Sequence, residues 1–317
     1  MLEESQNNLG TLDIHRQPHV CAAIVTYRIG TAIHRCFDSI YNQVGHVLII
    51  DNGSDELTRR ELDKLAAFDS VSLILNERNE GLAHAYNQAV QWAKIRGFRW
   101  ILTLDHDSEA TPGMVDKLVR VFDTLERQGI RNVGAVGANP FDVNVQEYID
   151  CIRPRESAGP PLEIGTMISS GSLISLAVLN TIGPFNEDLF IYYIDTDFCV
   201  RLVQAGFGVY ACPEALLLHR EGSKRRHRFL WRELIYDHYD KTSRYYLTRN
   251  TIYMMKRHHL STAELHAMLL RTWRDHVRML LFDKERFASV CYSLRGAIDG
   301  LRGKVGPMKF QESGLRG

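Results

Sequence analysis

The stretch RWILTLDHD, residues 99–107, joins an apolar run typical of a buried strand to two carboxylates. Asp105 and Asp107 flank His106, and residues two apart on an extended segment point to the same side. The two acids can therefore meet one hard divalent cation, Mg²⁺ or Mn²⁺, at the end of a strand, and such ions often bind substrate phosphates as well. A D-x-D pattern is equally typical of a solvated turn, so the rest of the chain decides its meaning.

Around this stretch, short apolar runs alternate with segments of helical spacing. The predicted strands cover residues 19–25, 46–51, 71–76, 99–105 and 133–138, and the predicted helices cover residues 29–40, 57–65, 81–96 and 112–128. Strands separated by helices predict an α/β fold, with a mostly parallel sheet flanked by helices on both faces.

Polar residues follow four of these predicted strands. They are Thr26-Tyr27, Asp51-Asn52-Gly53-Ser54, Asn76 to Asn79, and Asp105 to Asp107. Ligands of parallel sheets bind beyond the carboxyl ends of the strands, so the sequence predicts a ligand site at this edge.

The rest of the chain is less regular until its helical end. The sequence predicts a long loop over 140–161, a strand pair or a bent strand over 167–176, a short helix over 195–204, short strands over 208–211 and 216–219, and helices over 230–257, 261–282 and 285–301. These patterns divide the chain into a polar N-terminal tail (1–18), an α/β domain (19–229) and a C-terminal helical region (230–317).

Charge is unevenly distributed along the 317 residues, although 38 basic and 38 acidic residues cancel overall. From His219 onward there are 21 Lys or Arg against 10 Asp or Glu, which leaves 17 against 28 in residues 1–218. The acidic part suits cation binding, whereas the basic part indicates an anionic partner (phosphate or a membrane surface) or a solvated charged face.

Cysteine usage and hydropathy indicate a cytoplasmic protein. The six cysteines form no C-x-x-C pair and have no zinc-like spacing, which is typical of reduced, buried thiols. The first 17 residues are polar and unlike a signal peptide, and no run of about 18 apolar residues predicts a transmembrane helix. No G-x-G-x-x-G follows the first strand, which argues against a dehydrogenase.

A second acidic pair lies in FNEDLFIYYIDTDFCVRLVQAG, residues 185–206, where Asp195 begins a predicted helix and Asp197 follows. A carboxylate at a helix N-terminus is stabilised by the helix dipole, so one of the two can be a cap. The other interpretation is a general base, which must lie within hydrogen-bond reach of the proton that it removes.

His219 follows an apolar run and precedes a basic loop, residues 220–226. A lone histidine is usually structural, yet an imidazole can also complete a metal site built from two carboxylates. Lys224, Arg225 or Arg226 can neutralise a diphosphate.

These elements together resemble a known family. Their order is strand–TY, strand–DNGS, NEGLAHAYNQA, DHD, SSG, IDTDFCVRL and LLLHREG. Over residues 19–250 the chain resembles inverting family 2 glycosyltransferases of the GT-A fold. Within that group it is most similar to bacterial rhamnosyltransferases that use dTDP-L-rhamnose.

The resemblance implies roles for the matching positions. The metal ligands would be Asp105, Asp107 and His219, and the general base would be Asp195. The donor-binding residues would be Thr26, Tyr27, Asp51, Asn52, Asn79, Gly81, Asn87, Asp105 and Arg225. The chain departs from the family at Ile194, where Glu is frequent, and at Arg28, where Asn is common. Asp197 and Arg201 would brace the helix.

The implied reaction is transfer of L-rhamnose from dTDP-L-rhamnose, with inversion and with Mg²⁺ or Mn²⁺, to a hydroxyl of a glycan or lipid-linked acceptor. Another UDP- or GDP-sugar donor, or a catalytically idle nucleotide-sugar-binding protein, is the alternative.

The C-terminal helical region has three open interpretations. Arg271, Arg274 and Arg278 share one face of a predicted helix with apolar flanks. Such a helix can lie on an anionic membrane surface, here the inner face of the plasma membrane, pack in a homo-oligomer, or pack against the catalytic core. No recognition motif for nucleic acid accompanies the basic charge, so nucleic acid is not an expected partner.

Overall fold

The computed structural model describes residues 16–149, 161–220, 224–229, 232–258 and 262–308. The strands are β1 (Gln17–Thr26), β2 (Val44–Asp51), β3 (Val71–Leu75), β4 (Trp100–Asp105), β5 (Ser108–Ala110), β6 (Val133–Asp142), β7 (Glu147–Tyr148), β8 (Leu162–Glu163), β9 (Ser172–Ser175), β10 (Gly208–His219), β11 (Lys224–Phe229) and β12 (Arg232–Asp237). The helices are α1 (Ile33–Ile40), α2 (Glu56–Leu65), α3 (Leu82–Ile95), α4 (Met114–Arg127), α5 (Leu179–Ile182), α6 (Ile194–Gln204), α7 (Lys241–Arg257), α8 (Thr262–Phe282) and α9 (Arg286–Leu301).

The chain forms two compact units. The first, called the sheet unit, consists of Met1–Asn79, Tyr86–Pro184 and Cys199–Gly222. The second, called the helical unit, consists of Glu80–Ala85, Phe185–Phe198 and Ser223–Gly317.

The sheet unit contains a ten-stranded sheet whose main order is β3-β2-β1-β4-β9-β6-β10-β5. Pairing is parallel from β3 through β2 and β1 to β4, and again between β6 and β10. The short strand β9 runs antiparallel between β4 and β6, and β5 runs antiparallel to β10. The predicted α/β class, with helices flanking a mostly parallel sheet, is confirmed.

Apolar residues on both faces explain why these segments form central strands. In β1, residues 20–25 are all buried, and residues 47–50 of β2 are fully buried as well. Such continuous apolar runs suit parallel strands that helices cover on both sides. Helix α1 contributes a stripe at positions i, i+3, i+4 and i+7, namely Ile33, Cys36, Phe37 and Ile40. Because β1, β2 and β4 are parallel neighbours, the polar residues that end them lie together at the carboxyl edge of the sheet.

The helical unit is built on the hairpin of β11 and β12 and on the packing of α7 against α9. Two glycines of α9 allow this close approach. A Cβ at Gly296 would collide with the carbonyl oxygen of Tyr245, and a Cβ at Gly300 would lie 2.9 Å from the carbonyl oxygen of Arg249. Side chains at these two positions would separate the helices.

The prediction of a helix over residues 230–257 is wrong in its first part. Residues 232–237 form β12, antiparallel to β11, and α7 begins only at Lys241. Asp240 caps this helix by accepting a hydrogen bond from the backbone N–H of Ser243 at 2.6 Å. A short apolar run such as Leu234-Ile235-Tyr236 fits either a strand or a helix. Its partner strand, β11, is rich in basic residues, so its composition does not identify it as a strand.

Two further segments differ from their prediction. Residues 208–219 form one strand, β10, instead of two, with an irregular register between Ala211 and Leu216. The predicted loop over 140–161 contains the end of β6 and the short β7, while residues 150–160 lie outside the described part of the chain.

Candidate functional site

The two acids of the D-x-D segment gather with a histidine at the edge of the sheet. Asp105 is the last residue of β4, Asp107 follows two positions later, and His219 is the last residue of β10. Ligand atoms of these three side chains all lie within 4.8 Å of one another. His219 Nδ1 lies 3.5 Å from Asp107 Oδ1. Two carboxylate oxygens and one imidazole nitrogen form a donor set that divalent cations accept.

Neighbouring hydroxyl groups hold this cluster in place. Ser108 Oγ lies 2.8 Å from His219 Nδ1 and 2.8 Å from Ser170 Oγ. Ser170 Oγ accepts a hydrogen bond from the backbone N–H of Asp105 at 3.0 Å. Tyr86 donates its hydroxyl proton to Asp105 Oδ1 at 3.2 Å. Second-layer hydrogen bonds of this kind orient the ligands of metal sites.

The electrostatics of the cluster favour a bound cation. Burial raises the pKa of Asp105 above its usual value, and the charge of Asp107 raises it further, while His219 and His106 oppose the shift. The buried Oδ1 atom of Asp107 accepts no hydrogen bond from the described residues. A cation would neutralise the repulsion between the acids and would give this oxygen a partner. The cluster therefore fits a divalent metal ion.

The ends of β1 and β2 carry a network of hydrogen bonds. Strand β1 lies between β2 and β4, the strand that ends at Asp105. Thr26 donates its hydroxyl proton to Asp51 Oδ1 at 3.1 Å, and Asp51 Oδ2 accepts from the backbone N–H of Ser54 at 3.0 Å. The turn between them needs Gly53, which has φ +80°, because a Cβ there would lie 2.5 Å from Arg78 Cα. Asp51 is fully buried, so its carboxylate shapes the turn.

Amide side chains continue this edge toward the end of β3. Asn52 Nδ2 donates to Asn79 Oδ1 at 3.1 Å, and Asn76 Nδ2 donates to Asn52 Oδ1 at 3.2 Å. Tyr27 is 38% exposed, and the guanidinium of Arg28 lies 5.1 Å from the centre of its ring. The structure thus brings Thr26, Tyr27, Asp51, Asn52 and Asn79 to one edge of the sheet unit.

The remaining predicted positions have different settings. Asn87 is mostly buried within α3. Gly81 belongs to the helical unit, has φ +96° and would place a Cβ 2.8 Å from the Phe190 carbonyl oxygen. The side chain of Arg225 lies outside the described part of the chain. The donor-binding role of these residues stays a prediction.

Asp195, the predicted base, lies in the first turn of α6 within the helical unit. Its Oδ1 accepts a hydrogen bond from the backbone N–H of Thr196 at 2.7 Å. The predicted convergence of Asp195 on the metal cluster of the sheet unit stays a prediction.

The segment before Asp195 has an unusual backbone. Phe190, Tyr192 and Tyr193 all have φ near +64°, a conformation that costs a non-glycine residue about 1–3 kcal/mol and persists only when its surroundings enforce it. The side-chain amide of Asn250 holds it in place: its two N–H groups lie within hydrogen-bond distance of three carbonyl oxygens, those of Leu189, Ile191 and Tyr192, so one proton is shared between two of them. Asn250 was not predicted from the sequence, because nothing in its local pattern reveals a buried amide on α7.

Asp197 has a structural role. Its carboxylate is fully buried, lies 2.9 Å from His258 Nε2 and accepts from Asn186 Nδ2 at 3.3 Å. Arg201 donates to the carbonyl oxygen of Ile182 at 2.8 Å. Both side chains brace α6.

Comparison with known proteins adds a family and a fold. The model of the family described as Glycosyl transferase family 2 matches residues 21–182, about half of the chain. The chain is similar to the dTDP-rhamnosyl transferase RfbF of Shigella flexneri, with 25% identity over 307 residues that cover 92% of this chain and 98% of the relative. It is also 35% identical over 112 residues to the chondroitin synthase of Pasteurella multocida, covering 34% of this chain and 11% of that protein.

Two solved structures are similar in fold. Residues 1–349 of TarS from S. aureus superpose with a TM-score of 0.55 at 14% identity, covering 89% of this chain and 80% of that one. GalNAc-T7, crystallised with UDP, GalNAc and Mn²⁺, superposes with a TM-score of 0.52 at 16% identity, covering 67% of this chain and 44% of that one. The GT-A-like architecture and the resemblance read from the motifs are confirmed, and the chain belongs to glycosyl transferase family 2.

Proposed function

We propose that this protein transfers L-rhamnose from dTDP-L-rhamnose, with inversion, to a hydroxyl group of a glycan or glycolipid acceptor. The observation that carries the proposal is the cluster of Asp105, Asp107 and His219, whose donor set suits a cation that binds a diphosphate. The choice of donor is supported by the similarity to RfbF, a dTDP-rhamnosyl transferase by name, along nearly the whole of both chains.

The protein's own groups divide the chemistry between donor and acceptor. Asp195 would accept the proton of the acceptor hydroxyl as its oxygen attacks the anomeric carbon from the face opposite the nucleotide. Attack from that face inverts the configuration. Mg²⁺ or Mn²⁺ at Asp105, Asp107 and His219, when bound, would neutralise the negative charge that develops on the leaving diphosphate.

The carboxyl ends of β1 and β2 would hold the nucleoside. Tyr27 offers an exposed ring on which a pyrimidine can stack, while Asn52, which is buried and bonded to Asn76 and Asn79, would shape the wall beside the base. Thr26 and Asp51 are both fully buried, so they would position the strand ends that make these contacts rather than touch the nucleoside themselves. Asn79, Gly81 and Asn87 would line the ribose and sugar, and Arg225 would add positive charge near the diphosphate.

Ligand-induced thermal stabilisation tests the donor. The protein is heated with dTDP, UDP or GDP, each with and without Mn²⁺, and Asp107→Asn serves as the variant that lacks a metal ligand. We expect the melting temperature to rise most with dTDP plus Mn²⁺, and the metal-dependent part of the rise to disappear in Asp107→Asn. A larger rise with UDP or GDP would contradict the proposed donor and favour another nucleotide sugar.

Turnover distinguishes an enzyme from an idle nucleotide-sugar-binding protein. Incubation with dTDP-L-rhamnose and an extract of lipid-linked glycans should release dTDP in proportion to the rhamnosylated product. The anomeric configuration of that product, measured by NMR, should be opposite to that of the donor. Donor binding without dTDP release under any of these conditions would contradict catalysis.

A further inference from the structure

Exposed apolar side chains are concentrated in the helical unit. Ten of the sixteen large apolar side chains that are exposed among the described residues lie between residues 269 and 305. They are Leu269, Leu270, Trp273, Leu280, Leu281, Phe287, Leu294, Ile298, Leu301 and Val305. Such a concentration of exposed apolar side chains on two helices is typical of an interaction site rather than of ordinary scatter.

The residues on α8 form a stripe along one side of the helix. Leu270, Trp273 and Leu280 are separated by three and seven positions, a spacing that places them on one face, and Leu269 and Leu281 widen it. Trp273 is 64% exposed. None of the described helices is long and apolar enough to cross a bilayer.

A second stripe runs along α9. Phe287, Cys291, Leu294, Ile298 and Leu301 follow one another at intervals of four, three, four and three residues, and all five are exposed. The opposite face of α9 is buried and includes Gly296 and Gly300, which contact α7. The stripe therefore points away from the helix that holds α9 in place.

Arginines without carboxylate partners accompany both stripes. Arg271 and Arg274 on α8, Arg286 at the start of α9 and Arg302 at its end are exposed, and none of them pairs with a carboxylate in the described part of the chain. By contrast, Arg278 lies 3.9 Å from Asp275. The cations next to the stripes are thus available to an external anion.

The spacing on α9 also fits a seam between two copies of the chain, but the charges disfavour this. Helical seams between chains carry opposite charges on their flanks. Here Asp299, the single carboxylate of α9, is buried and bonded to Tyr245 and Lys304. The exposed charges at the ends of α9 are Arg286 and Arg302 against Glu285 alone, and Arg271 and Arg274 of α8 add to the positive excess. This excess favours an anionic lipid surface over a second copy with the same charges.

We propose that the exposed stripes of α8 and α9, called the apolar stripes, dock this protein on an anionic lipid bilayer. The apolar side chains would enter the boundary between headgroups and acyl chains, and Arg271, Arg274, Arg286 and Arg302 would pair with lipid phosphates. This inference goes beyond the proposed reaction, because it holds whichever sugar is transferred.

Vesicle flotation tests the docking surface without using turnover. The full-length protein is mixed with vesicles of phosphatidylcholine alone or with about one-third phosphatidylglycerol, and binding is measured at low and high salt. We expect binding to the anionic vesicles that weakens with salt. Failure to float, or equal binding to both vesicle types, overturns the proposal.

Two variants, each with a matched control, locate the surface. Phe287→Asn should weaken binding by about tenfold or more, because burial of a Phe side chain is lost. Ile95→Asn, at an equally exposed position (82% for both residues), should leave binding unchanged. The double variant Arg271→Gln/Arg274→Gln should weaken binding by about 25-fold, since each cation near an anionic surface contributes about fivefold. Arg60→Gln, which removes an exposed cation from α2, is its control.

Circular dichroism verifies that each variant is folded. We expect all of them to fold, because the substituted side chains are exposed. Binding that Phe287→Asn and the double arginine variant leave unchanged overturns the proposal. So does a dimer, detected by light scattering, that Phe287→Asn converts to monomer while the wild-type protein does not float. In that case a second copy occupies the apolar stripes.

Discussion

Two D-x-D segments of this chain have the same spacing but different surroundings. In the sheet unit, Asp105 and Asp107 gather with His219, and a buried oxygen of Asp107 accepts no hydrogen bond from the described residues. In the helical unit, Asp197 is fully buried and bonded to His258 and Asn186.

Backbone conformation accounts for the difference. The first pair spans the turn between β4, which ends at Asp105, and β5, which begins at Ser108, and this turn brings both acids close to His219. The second pair lies in the first turn of α6, where residues two apart point in nearly opposite directions. Asp195 and Asp197 therefore cannot act as a pair, and one can be chemical while the other is structural.

The largest effect expected from this comparison is on turnover. Asp195→Ala should lower the rate of sugar transfer by about 10²–10⁴-fold, because a general base is removed. The thermal stabilisation by dTDP and Mn²⁺ should stay at the wild-type level, since Asp195 is not among the metal ligands. Transfer at the wild-type rate would show that another group is the base.

Asp197→Ala should instead act on stability. Removal of one partner leaves the buried imidazole of His258 without its hydrogen-bonded carboxylate, which costs about 1–3 kcal/mol. Urea unfolding should show this loss, whereas Mn²⁺ binding to the folded protein should be unchanged. A variant as stable as the wild type would contradict the bracing role, and the isosteric Asp197→Asn should be less destabilised than the alanine variant.

A third change probes the layer behind the metal cluster. Ser108→Ala removes the hydroxyl that contacts His219 Nδ1 and should weaken Mn²⁺ binding by about 10–100-fold. Ser293→Ala, which truncates another buried serine in the helical unit, is the control and should leave the affinity unchanged. Calorimetric titration measures both. Equal affinities would indicate that Ser108 does not orient the imidazole.

The smallest effect concerns pH. Burial raises the pKa of Asp105, so the folded protein holds this proton more tightly than the unfolded chain does. The resulting stabilisation is present at low pH and is lost as the pH rises through the raised pKa. In EDTA, the melting temperature of the wild type relative to Asp105→Asn should therefore fall with rising pH. A difference independent of pH would contradict the raised pKa.

The sheet unit was largely predictable from the sequence because its strands are buried on both faces. Continuous apolar runs such as residues 20–25, punctuated by polar ends, leave few alternatives. The polar end of β4 predicted Asp105 and Asp107 as a pair, although Asp107 lies in the turn after the strand and not in an extended segment. His219 was predicted from the chemistry of its imidazole and from the family resemblance.

The helical unit was less predictable, because its structure depends on distant partners. The strand β12 exists because β11 pairs with it, and the charged sequence of β11 conceals that partner. Asn250 holds the backbone before Asp195 from α7, about 60 residues further along the chain, and no local pattern reports such a bond. Ser170 lies in the SSG motif and Ser108 directly follows the D-x-D segment, but the sequence assigned neither of them a role, since a serine has no spacing that shows which side chain it contacts.

The pairing of β10 with β5 has a consequence for how this chain can change in evolution. His219 lies opposite Ser108, and a slip of one residue would turn the imidazole to the other face of the sheet. Between Ala211 and Leu216, however, β10 already shifts its alignment with β6. Insertions or deletions in that interval can be absorbed there, whereas a single deletion at Leu217 or Leu218 would cost the protein its third metal ligand.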